Sequence, residues 1–238
     1  MAYLFTPPPL ATVAVKGSND KIAVHRVYCV GRNYAEHARE MGHNPDCEPP
    51  FFFCKPSDAV RCVRQNECYA FPYPMLTKNL HYEGELVAVI GKSGANIAVE
   101  KALDYVVGYA VGLDMTRRDL QNEMKAMGRP WEIGKAFDYS APISEVSLAS
   151  EVSLASEVGH LSQGAIQLWV NGDVRQSSDL NQLIWSVAET VSHLSTYFCL
   201  QPGDLIFTGT PKGVGKVEIG DHIVVAVDKL GELKVDIV

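Results

Sequence analysis

Two glutamates interrupt the first half of an apolar segment of this 238-residue chain, and they restrict how that segment can fold. The stretch from Leu80 to Ile90 has the pattern of a buried β-strand, because it ends in Leu-Val-Ala-Val-Ile, yet it contains Glu83 and Glu85. Side chains at positions i and i+2 of a strand project from the same face. The two carboxylates are therefore expected to point into one space.

A third carboxylate, that of Asp114, ends a second apolar run, residues 106–113. Three carboxylates held together beside apolar residues would repel one another, and one of them would take up a proton. A divalent cation removes that cost, and three hard oxygen ligands favour Mg²⁺, Mn²⁺ or Ca²⁺ over Zn²⁺. The alternative is an edge strand on the surface, whose glutamates pair with Lys78 or Lys92.

Charge and composition limit which molecules the protein can bind and indicate the cellular compartment in which it is found. The formal net charge of -7 and the pI near 5.5 argue against nucleic acid or an anionic membrane, because the field of the protein would repel phosphate. A small anionic substrate would then need a local positive site. The N-terminal residues show no basic segment followed by a long apolar stretch, and the six cysteines form no C-x-x-C pair. A cytoplasmic location with reduced thiols is the expectation.

A histidine and a glutamate share one face of a short predicted helix. Asn33 can cap this helix, Glu36 completes a capping box, and Gly42 provides the stop. His37 and Glu40 are three residues apart, and a carboxylate beside an imidazole holds its tautomer and raises its basicity. Those are the properties of a general base, although such a pair is more often found on a surface. A short helix of this kind can also act as a mobile lid.

The clearest helix in the sequence follows Asp114. Thr116 is predicted to cap it and Gly128 to end it. Arg118 and Gln121 lie on one face of this helix, four and seven residues beyond Asp114, so both side chains could face the metal. The alternative is that they cover the solvent side of the helix.

Two later segments carry groups that can bind negative charge. Lys135 is predicted in an extended segment, where its ammonium could stabilise a developing oxyanion, or it could be an ordinary surface lysine. The turn at 209–215 contains three glycines and Thr210, and successive backbone amides in such a turn can hold a carboxylate. A plain turn that needs glycine for positive φ is the competing interpretation.

Taken in order, these motifs resemble those of the fumarylacetoacetate hydrolase superfamily. The resemblance extends over nearly all of the chain beyond residue 25, and it runs through residues 27–42, 49–60, 81–86, 108–121, 128–138, 170–172 and 202–215. Within the superfamily the chain is most similar to the small bacterial acylpyruvate hydrolases, and in particular to those that act on fumarylpyruvate in gentisate breakdown. Many members have a second histidine in place of Tyr82 and a branched residue in place of Gly84, so packing behind the site is expected to differ.

The resemblance implies a fold and a set of site residues. The fold would be α+β and mostly β, a mixed β-sandwich roll with a few short helices, in which residues 1–25 form an arm and residues 26–238 the catalytic domain of a homodimer. The site would contain Mg²⁺ or Mn²⁺, with Ca²⁺ as a further option. Its implied residues are the metal ligands Glu83, Glu85 and Asp114, the catalytic residues His37, Glu40 and Lys135, and the substrate contacts Arg32, Arg118, Gln121, Gly209 and Thr210.

The implied activity is hydrolysis of the carbon–carbon bond of an acylpyruvate, with fumarylpyruvate giving fumarate and pyruvate in aromatic catabolism. Three alternatives stay open at this point. Oxaloacetate has the same 2-oxo acid group, and its decarboxylation gives the same pyruvate enolate. An isomerase or decarboxylase of unsaturated hydroxy-dioates would use the same chemistry, and a non-catalytic metal-binding module would use the carboxylates for stability alone.

Overall fold

Strands dominate the part of the chain that the structure, a computed structural model, describes, namely residues 3–40, 49–149 and 160–238. The strands are β1 (Thr12–Ala14), β2 (Lys21–Ala23), β3 (Val27–Gly31), β4 (Phe51–Lys55), β5 (Val60–Val63), β6 (Tyr69–Phe71), β7 (Leu80–Tyr82), β8 (Gly84–Ile90), β9 (Val106–Leu113), β10 (Thr116–Arg117), β11 (Ala141–Ser144), β12 (Ser147–Leu148), β13 (Ala165–Val170), β14 (Asp173–Asp179), β15 (Leu205–Phe207), β16 (Gly215–Val217), β17 (His222–Val227) and β18 (Gly231–Ile237). The α-helices are α1 (Ala35–Glu40), α2 (Arg118–Ala126), α3 (Glu132–Lys135) and α4 (Val187–Tyr197), and 3₁₀-helices span Ser57–Ala59, Val99–Tyr105 and Leu180–Gln182. None of these helices combines the length and the apolar character needed to cross a bilayer.

Most strands belong to two mixed sheets. The larger has the order β4-β3-β15-β8-β9-β11-β5 with β12 beside β9, and the smaller has the order β14-β13-β17-β18-β6. Parallel pairs occur in both, at β3 with β15, β5 with β11 and β6 with β18, while the other pairs are antiparallel. Strands β10, β7 and β16 form a third sheet, and β1 pairs with β2. A mostly β, mixed architecture with few helices is what the sequence predicted.

Strand β8 is central to the larger sheet and is buried along its whole length. Leu86, Ala88 and Ile90 belong to one core cluster together with residues of the five-stranded sheet. Val87 and Val89 face the opposite way, into a second cluster that β1 and β2 help to cover. Because both faces are covered, the strand has a continuous apolar run instead of alternating polar residues.

The pairing of β8 with β9 determines where the acidic residues lie. The strands run antiparallel with Gly84 opposite Leu113, so the start of β8 adjoins the end of β9. The backbone N–H of Asp114 donates to the carbonyl of Glu83 at 2.9 Å. Two residues 31 positions apart in the chain are thereby held side by side.

The first predicted helix forms, but its predicted cap is wrong. Helix α1 begins at Ala35, and the Asn33 amide donates instead to the carbonyl oxygens of Trp185 and Thr208, at 2.9 and 2.8 Å. Asn33 Oδ1 accepts from the Trp185 N–H at 2.7 Å. Asn33 therefore connects the segment before α1 to two distant loops. The predicted stop, Gly42, lies outside the described residues.

Two other local predictions fail for related reasons. Thr116 does not cap α2 but lies in the short strand β10, where its hydroxyl donates to the Asp114 carbonyl at 3.1 Å. Lys135 ends the short helix α3 and is not in an extended segment. In both cases the side chain bonds to Asp114: Thr116 donates to its carbonyl and Lys135 to its carboxylate. Gly128 has φ 63° directly after α2, which confirms the predicted end of that helix.

Candidate active site

The three predicted metal ligands meet at the ends of β8 and β9. Glu83, Glu85 and Asp114 each offer a carboxylate oxygen, these atoms lie within 4.8 Å of one another, and all three residues are buried. We call this set the carboxylate triad. An exposed edge strand paired with Lys78 or Lys92 is excluded, because β8 is an interior strand.

Three buried cationic side chains surround the triad. Lys135 Nζ lies 2.8 Å from Glu83 Oε2 and 2.7 Å from Asp114 Oδ2, and it also donates to the Thr116 hydroxyl at 2.7 Å. Arg118 pairs with Glu83 Oε1, and Lys55 Nζ lies 2.8 Å from Asp114 Oδ1. Glu83 therefore pairs with Arg118 and Lys135, and Asp114 pairs with Lys55 and Lys135.

Glu85 differs from the other two carboxylates because the described residues place no cationic side chain against it. Burial raises its pKa well above the usual range, and the nearby Asp114 and Glu83 raise it further. Burial also acts to raise the pKa of Glu83, but Lys135 and Arg118 outweigh it, so that the pKa of Glu83 is lowered. Glu85 is therefore the triad member that takes up a proton most readily.

The triad fits a hard divalent cation. All three donors are carboxylate oxygens, the donor type that Mg²⁺ and Mn²⁺ prefer. One oxygen of Glu85 accepts the Gly209 N–H at 2.7 Å, which orients the carboxylate. Within the described residues, Asp114 Oδ1 is buried and receives no hydrogen bond, since the nearby Lys55 ammonium forms an ion pair without hydrogen-bond geometry. A cation would satisfy these oxygens.

The histidine and glutamate of α1 form the predicted pair. His37 Nδ1 lies 3.0 Å from Glu40 Oε2, and His37 is buried. The Gly213 N–H points to both oxygens of Glu40 at 3.3 Å, which connects α1 to the turn at 209–215. With Nδ1 held by Glu40, Nε2 is the ring atom that can exchange a proton with a molecule in the cleft.

One cleft collects most of the predicted site residues. Asp114, Glu40 and Gly209 are not on its wall, but each contacts a residue that is. The wall includes Arg32, His37, Glu83, Glu85, Arg118, Gln121, Lys135 and Thr210.

Arg118 and Gln121 face the triad and not the solvent. Arg118 donates to Gln121 Oε1 at 2.5 Å and to His81 Nδ1 at 3.3 Å, besides its pair with Glu83. Burial and the adjacent Arg118 lower the pKa of His81 to about 4, so this histidine is neutral and can accept that hydrogen bond. The guanidinium is consequently fixed from three sides.

The turn at 209–215 is engaged with the strand that carries the ligands. The Gly209 amide is bound to Glu85, and the Thr210 hydroxyl donates to the Gly84 carbonyl at 2.9 Å. Gly209 has φ 99°, and a Cβ at this position would lie 2.8 Å from the Asn33 Cβ, so only glycine fits. This turn therefore holds the Glu85 carboxylate in place.

Gly84 and Tyr82 both contact residues behind the site. A Cβ on Gly84 would lie 2.9 Å from a methyl group of Val225 and 3.1 Å from one of Leu168, both in the five-stranded sheet. The Tyr82 hydroxyl donates to the Gly213 carbonyl at 3.1 Å. Gly84 therefore lets the larger sheet approach the five-stranded sheet closely, and Tyr82 holds the turn at 209–215 through Gly213.

Sequence reasoning gave no role to Lys55 or Gln176, which are both buried and polar. Lys55 could have been suspected, because it is a charged residue that ends an apolar strand directly before Pro56. Gln176 carries no such signal, because its orientation depends on how β14 pairs with β13.

Replacing Lys55 by Met is expected to destabilise the protein by about 3–5 kcal/mol, because the change leaves Asp114 buried without this ion-pair partner. Chemical denaturation of the metal-free protein measures the effect. Lys92→Met, at an exposed position, serves as the control and should change stability by less than about 0.5 kcal/mol. Equal stability of the two variants would contradict the assigned role of Lys55.

The chain is similar to several known proteins. The family model described as fumarylacetoacetate (FAA) hydrolase C-terminal matches residues 26–238. A fumarylpyruvate hydrolase from Ralstonia sp. is 48% identical over 190 residues, which cover 80% of this chain and 93% of that protein. The mitochondrial oxaloacetate tautomerase FAHD1 of Bos taurus is 41% identical over 199 residues, which cover 83% of this chain and 84% of that protein.

A crystal structure of fumarylpyruvate hydrolase from Pseudomonas aeruginosa in complex with Mn²⁺ and pyruvate has the same fold. It is 58% identical, has a TM-score of 0.96, and the match covers 100% of this chain and 99% of that one. This match confirms the predicted fold class.

Proposed function

This chain belongs to the fumarylacetoacetate hydrolase family, and on that premise we propose that it hydrolyses the carbon–carbon bond of an acylpyruvate, with fumarylpyruvate as the substrate. The observation that carries the proposal is the buried carboxylate triad in the same cleft as a histidine that is oriented by Glu40. The crystallised relative bound to Mn²⁺ and pyruvate supports it, because pyruvate is one of the proposed products.

We propose Glu83, Glu85 and Asp114 as the ligands of Mn²⁺ or Mg²⁺. When bound, such an ion supplies Lewis acidity that polarises the oxygen atoms of a 2-oxo acid and stabilises negative charge on them. The residues around the triad hold its oxygens towards one point: Gly209 acts on Glu85, and Lys135 acts on both Glu83 and Asp114.

The charge of the site favours a substrate with two negative charges. The side chains of Lys55, Arg118 and Lys135 balance the three carboxylates of the triad, and all six are buried. A divalent cation therefore leaves an excess of two positive charges in a region that water screens poorly. A dicarboxylate such as fumarylpyruvate or oxaloacetate neutralises that excess.

The first chemical step that we propose belongs to His37 and Glu40. Nε2 of His37 removes a proton from water, whose oxygen adds to the C4 carbonyl carbon of the acylpyruvate, and Glu40 stabilises the imidazolium that forms. Lys135 adds a positive charge near the resulting oxyanion. Arg118, Gln121 and Thr210 line the cleft, and the side chains of Arg118 and Gln121 would contact the oxygens of the 2-oxo acid. Thr210 would do so through its backbone N–H, because its hydroxyl already donates to the Gly84 carbonyl.

Cleavage then follows from the negative charge on the oxygen of the tetrahedral adduct. The carbonyl of the acyl group re-forms, the bond between C3 and C4 breaks, and the electron pair of that bond passes through C3 into the 2-oxo group to give the enolate of pyruvate. The oxygen taken from water stays on the acyl carbon as the hydroxyl of a carboxylic acid, which releases its proton to solvent to give the new carboxylate of fumarate. The proton held by His37 returns to C3, so that pyruvate leaves and the histidine is neutral again.

We propose that an aromatic wall of the cleft receives the acyl group. The rings of Phe51 and Trp131 are 5.4 Å apart edge to face, and the Arg32 guanidinium lies 5.1 Å from the centre of the Phe51 ring. Arg32 has φ 59°, a conformation that costs a non-glycine residue energy and is concentrated at functional sites. Its charge suits the distal carboxylate of a fumaryl group.

Arg32→Gln is accordingly expected to lower kcat/KM for fumarylpyruvate by about 10–100-fold, the equivalent of one charge-assisted hydrogen bond. Acetylpyruvate has no distal carboxylate, so its kcat/KM should change little. Steady-state kinetics with both substrates measures the ratio, and Arg64→Gln, at an exposed position, is the control. A parallel loss with both substrates would contradict this role of Arg32.

A second candidate is action on oxaloacetate, which the relatives described as oxaloacetate tautomerase favour. Tautomerisation and decarboxylation both need a stabilised enolate but no attacking water. Chelator-treated protein reloaded with Mn²⁺ should be assayed with fumarylpyruvate, acetylpyruvate and oxaloacetate. Faster turnover of fumarylpyruvate supports the hydrolase, whereas turnover of oxaloacetate alone would replace it with the second candidate.

The remaining expectations are also proposals. We propose a homodimer that acts in the cytoplasm in the breakdown of aromatic compounds, with residues 26–238 as its catalytic domain and residues 1–25 as an arm. The match of the family model to 26–238 supports that division. Sedimentation velocity would test the dimer.

A further inference from the structure

Gln176 is the one fully buried residue of β14, and its amide group makes three hydrogen bonds. Its Oε1 accepts the N–H of Gly84 at 3.0 Å. Its Nε2 donates to the Thr210 hydroxyl at 2.8 Å and to the Pro211 carbonyl at 2.7 Å. A single side chain thus connects the five-stranded sheet to the ligand strand and to the turn at 209–215.

A β-bulge directs this side chain inwards. Leu168 of β13 lies opposite Gln176, whereas the next residue, Trp169, lies opposite Val174, so Arg175 is an extra residue in β14. With regular pairing, Arg175 would face Leu168 and project into the core. Because of the bulge, Gln176 projects into the core in place of Arg175. Bulges next to functional sites often redirect a side chain in this way.

The same bulge supports the turn at 209–215. Gly213 has φ 97°, and a Cβ at this position would lie 2.1 Å from the Arg175 carbonyl oxygen, so the turn rests directly on the bulged backbone. The N–H of Gly213 points to Glu40, the partner of His37. The bulge therefore supports the turn that contacts the proposed water-activating pair.

We infer that Gln176 is a positioning residue that fixes the carboxylate triad relative to the turn at 209–215. Gly84 lies between Glu83 and Glu85, so the bond to its N–H fixes the backbone between two ligands. The bond to Thr210 holds the residue after Gly209, whose amide binds Glu85. Only a primary amide can accept the Gly84 N–H and donate to two oxygens at once.

This inference rests on the proposed metal site, and Mn²⁺ binding tests the two separately. The variants are Gln176→Met, which removes all three hydrogen bonds at similar volume, and Gln176→Glu, which keeps the acceptor for Gly84. Gln167→Leu is the matched control, because Gln167 lies on the neighbouring strand and its side chain bonds to Ser177 on the outer side of the sheet. The Kd of Mn²⁺ for chelator-treated protein is measured by electron paramagnetic resonance, and folding is measured by thermal unfolding.

Gln176→Met is expected to raise the Kd of Mn²⁺ by about 10–100-fold, as for residues that orient metal ligands, with a smaller rise for Gln176→Glu and none for Gln167→Leu. A lower melting temperature with an unchanged Kd in a folded Gln176 variant would overturn the inference, since it would show a purely structural role. If Gln176→Met does not fold, Gln176→Glu decides by the same criterion. Failure of the unmodified chain to bind Mn²⁺ would overturn the proposed metal site itself.

Discussion

Replacing Glu85 by Gln should abolish Mn²⁺ binding and lower kcat for acylpyruvate hydrolysis by about 10³-fold or more, since each ~1.4 kcal/mol of lost transition-state stabilisation is tenfold in rate. Glu85 is the informative ligand to change, because no cationic side chain among the described residues lies against it. Gln keeps an acceptor for the Gly209 N–H and, like a protonated Glu85 in the metal-free protein, carries no charge. The metal-free variant should therefore be at least as stable as the parent.

Loss of activity together with retained stability of the metal-free variant would distinguish a catalytic metal site from a purely structural one. Activity with added Mn²⁺ and the melting temperature without metal are the two measurements, and Glu100→Gln, at an exposed position, is the control. If the site were purely structural, Glu85→Gln would melt at a lower temperature than the parent in the presence of Mn²⁺. The parent protein would then have no enzymatic activity. A Glu85→Gln variant with full activity would exclude the proposed ligand set.

Replacing His37 by Ala is the second large change, and it should lower kcat for hydrolysis by about 10²–10⁴-fold, the usual contribution of a general base. The affinity for Mn²⁺ should stay the same, because His37 is not a proposed ligand. Any turnover of oxaloacetate by the chain should fall much less, since no water has to be activated. The measurement compares kcat for both substrates at saturating Mn²⁺.

The appropriate control for that experiment is His222→Ala, because His222 lies on the five-stranded sheet and pairs with Asp236 there. It should leave both activities unchanged. Equal losses of hydrolysis and of oxaloacetate turnover in His37→Ala would argue against water activation and favour a role in binding the 2-oxo acid common to both substrates.

The arrangement of charge connects these predictions. Glu83 and Asp114 form ion pairs with Lys55, Arg118 and Lys135, whereas Glu85 forms none within the described part of the chain. These ion pairs keep the buried cluster stable without a cation, and the carboxylate outside them provides affinity for one. Changes at the ion-paired positions should therefore lower stability, as expected for Lys55→Met, and a change at Glu85 should lower function.

Much of the site could be predicted from sequence because its signals are local. An i, i+2 pair of glutamates before an apolar strand, an aspartate after another, and a histidine three residues from a glutamate each depend on the geometry of one element. The hairpin of β13 and β14 is local in the same sense, because Asn171 and Gly172 form its turn and both have the positive φ of a type I′ turn. These features needed no knowledge of which strands are neighbours.

The failed predictions all involve contacts between distant segments. Asn33 is a good helix cap by sequence, but in the folded chain it bonds to Trp185 and Thr208, some 150 to 175 residues away. Thr116 was likewise assigned to a helix start, yet its hydroxyl accepts a bond from Lys135. A side chain with several possible partners adopts the one that burial makes most valuable, and burial is a property of the whole fold.

The sequence by itself therefore determined the types of group in the site, the strands that carry them and the family. The tertiary structure decided which charges balance each other and which residues hold the ligands in place. Lys55 reaches Asp114, and Gln176 reaches Gly84, only because strands distant in the chain are paired and one of them contains a bulge. Strand pairing and register arise from burial of apolar faces across the whole chain, and local sequence patterns do not contain that information.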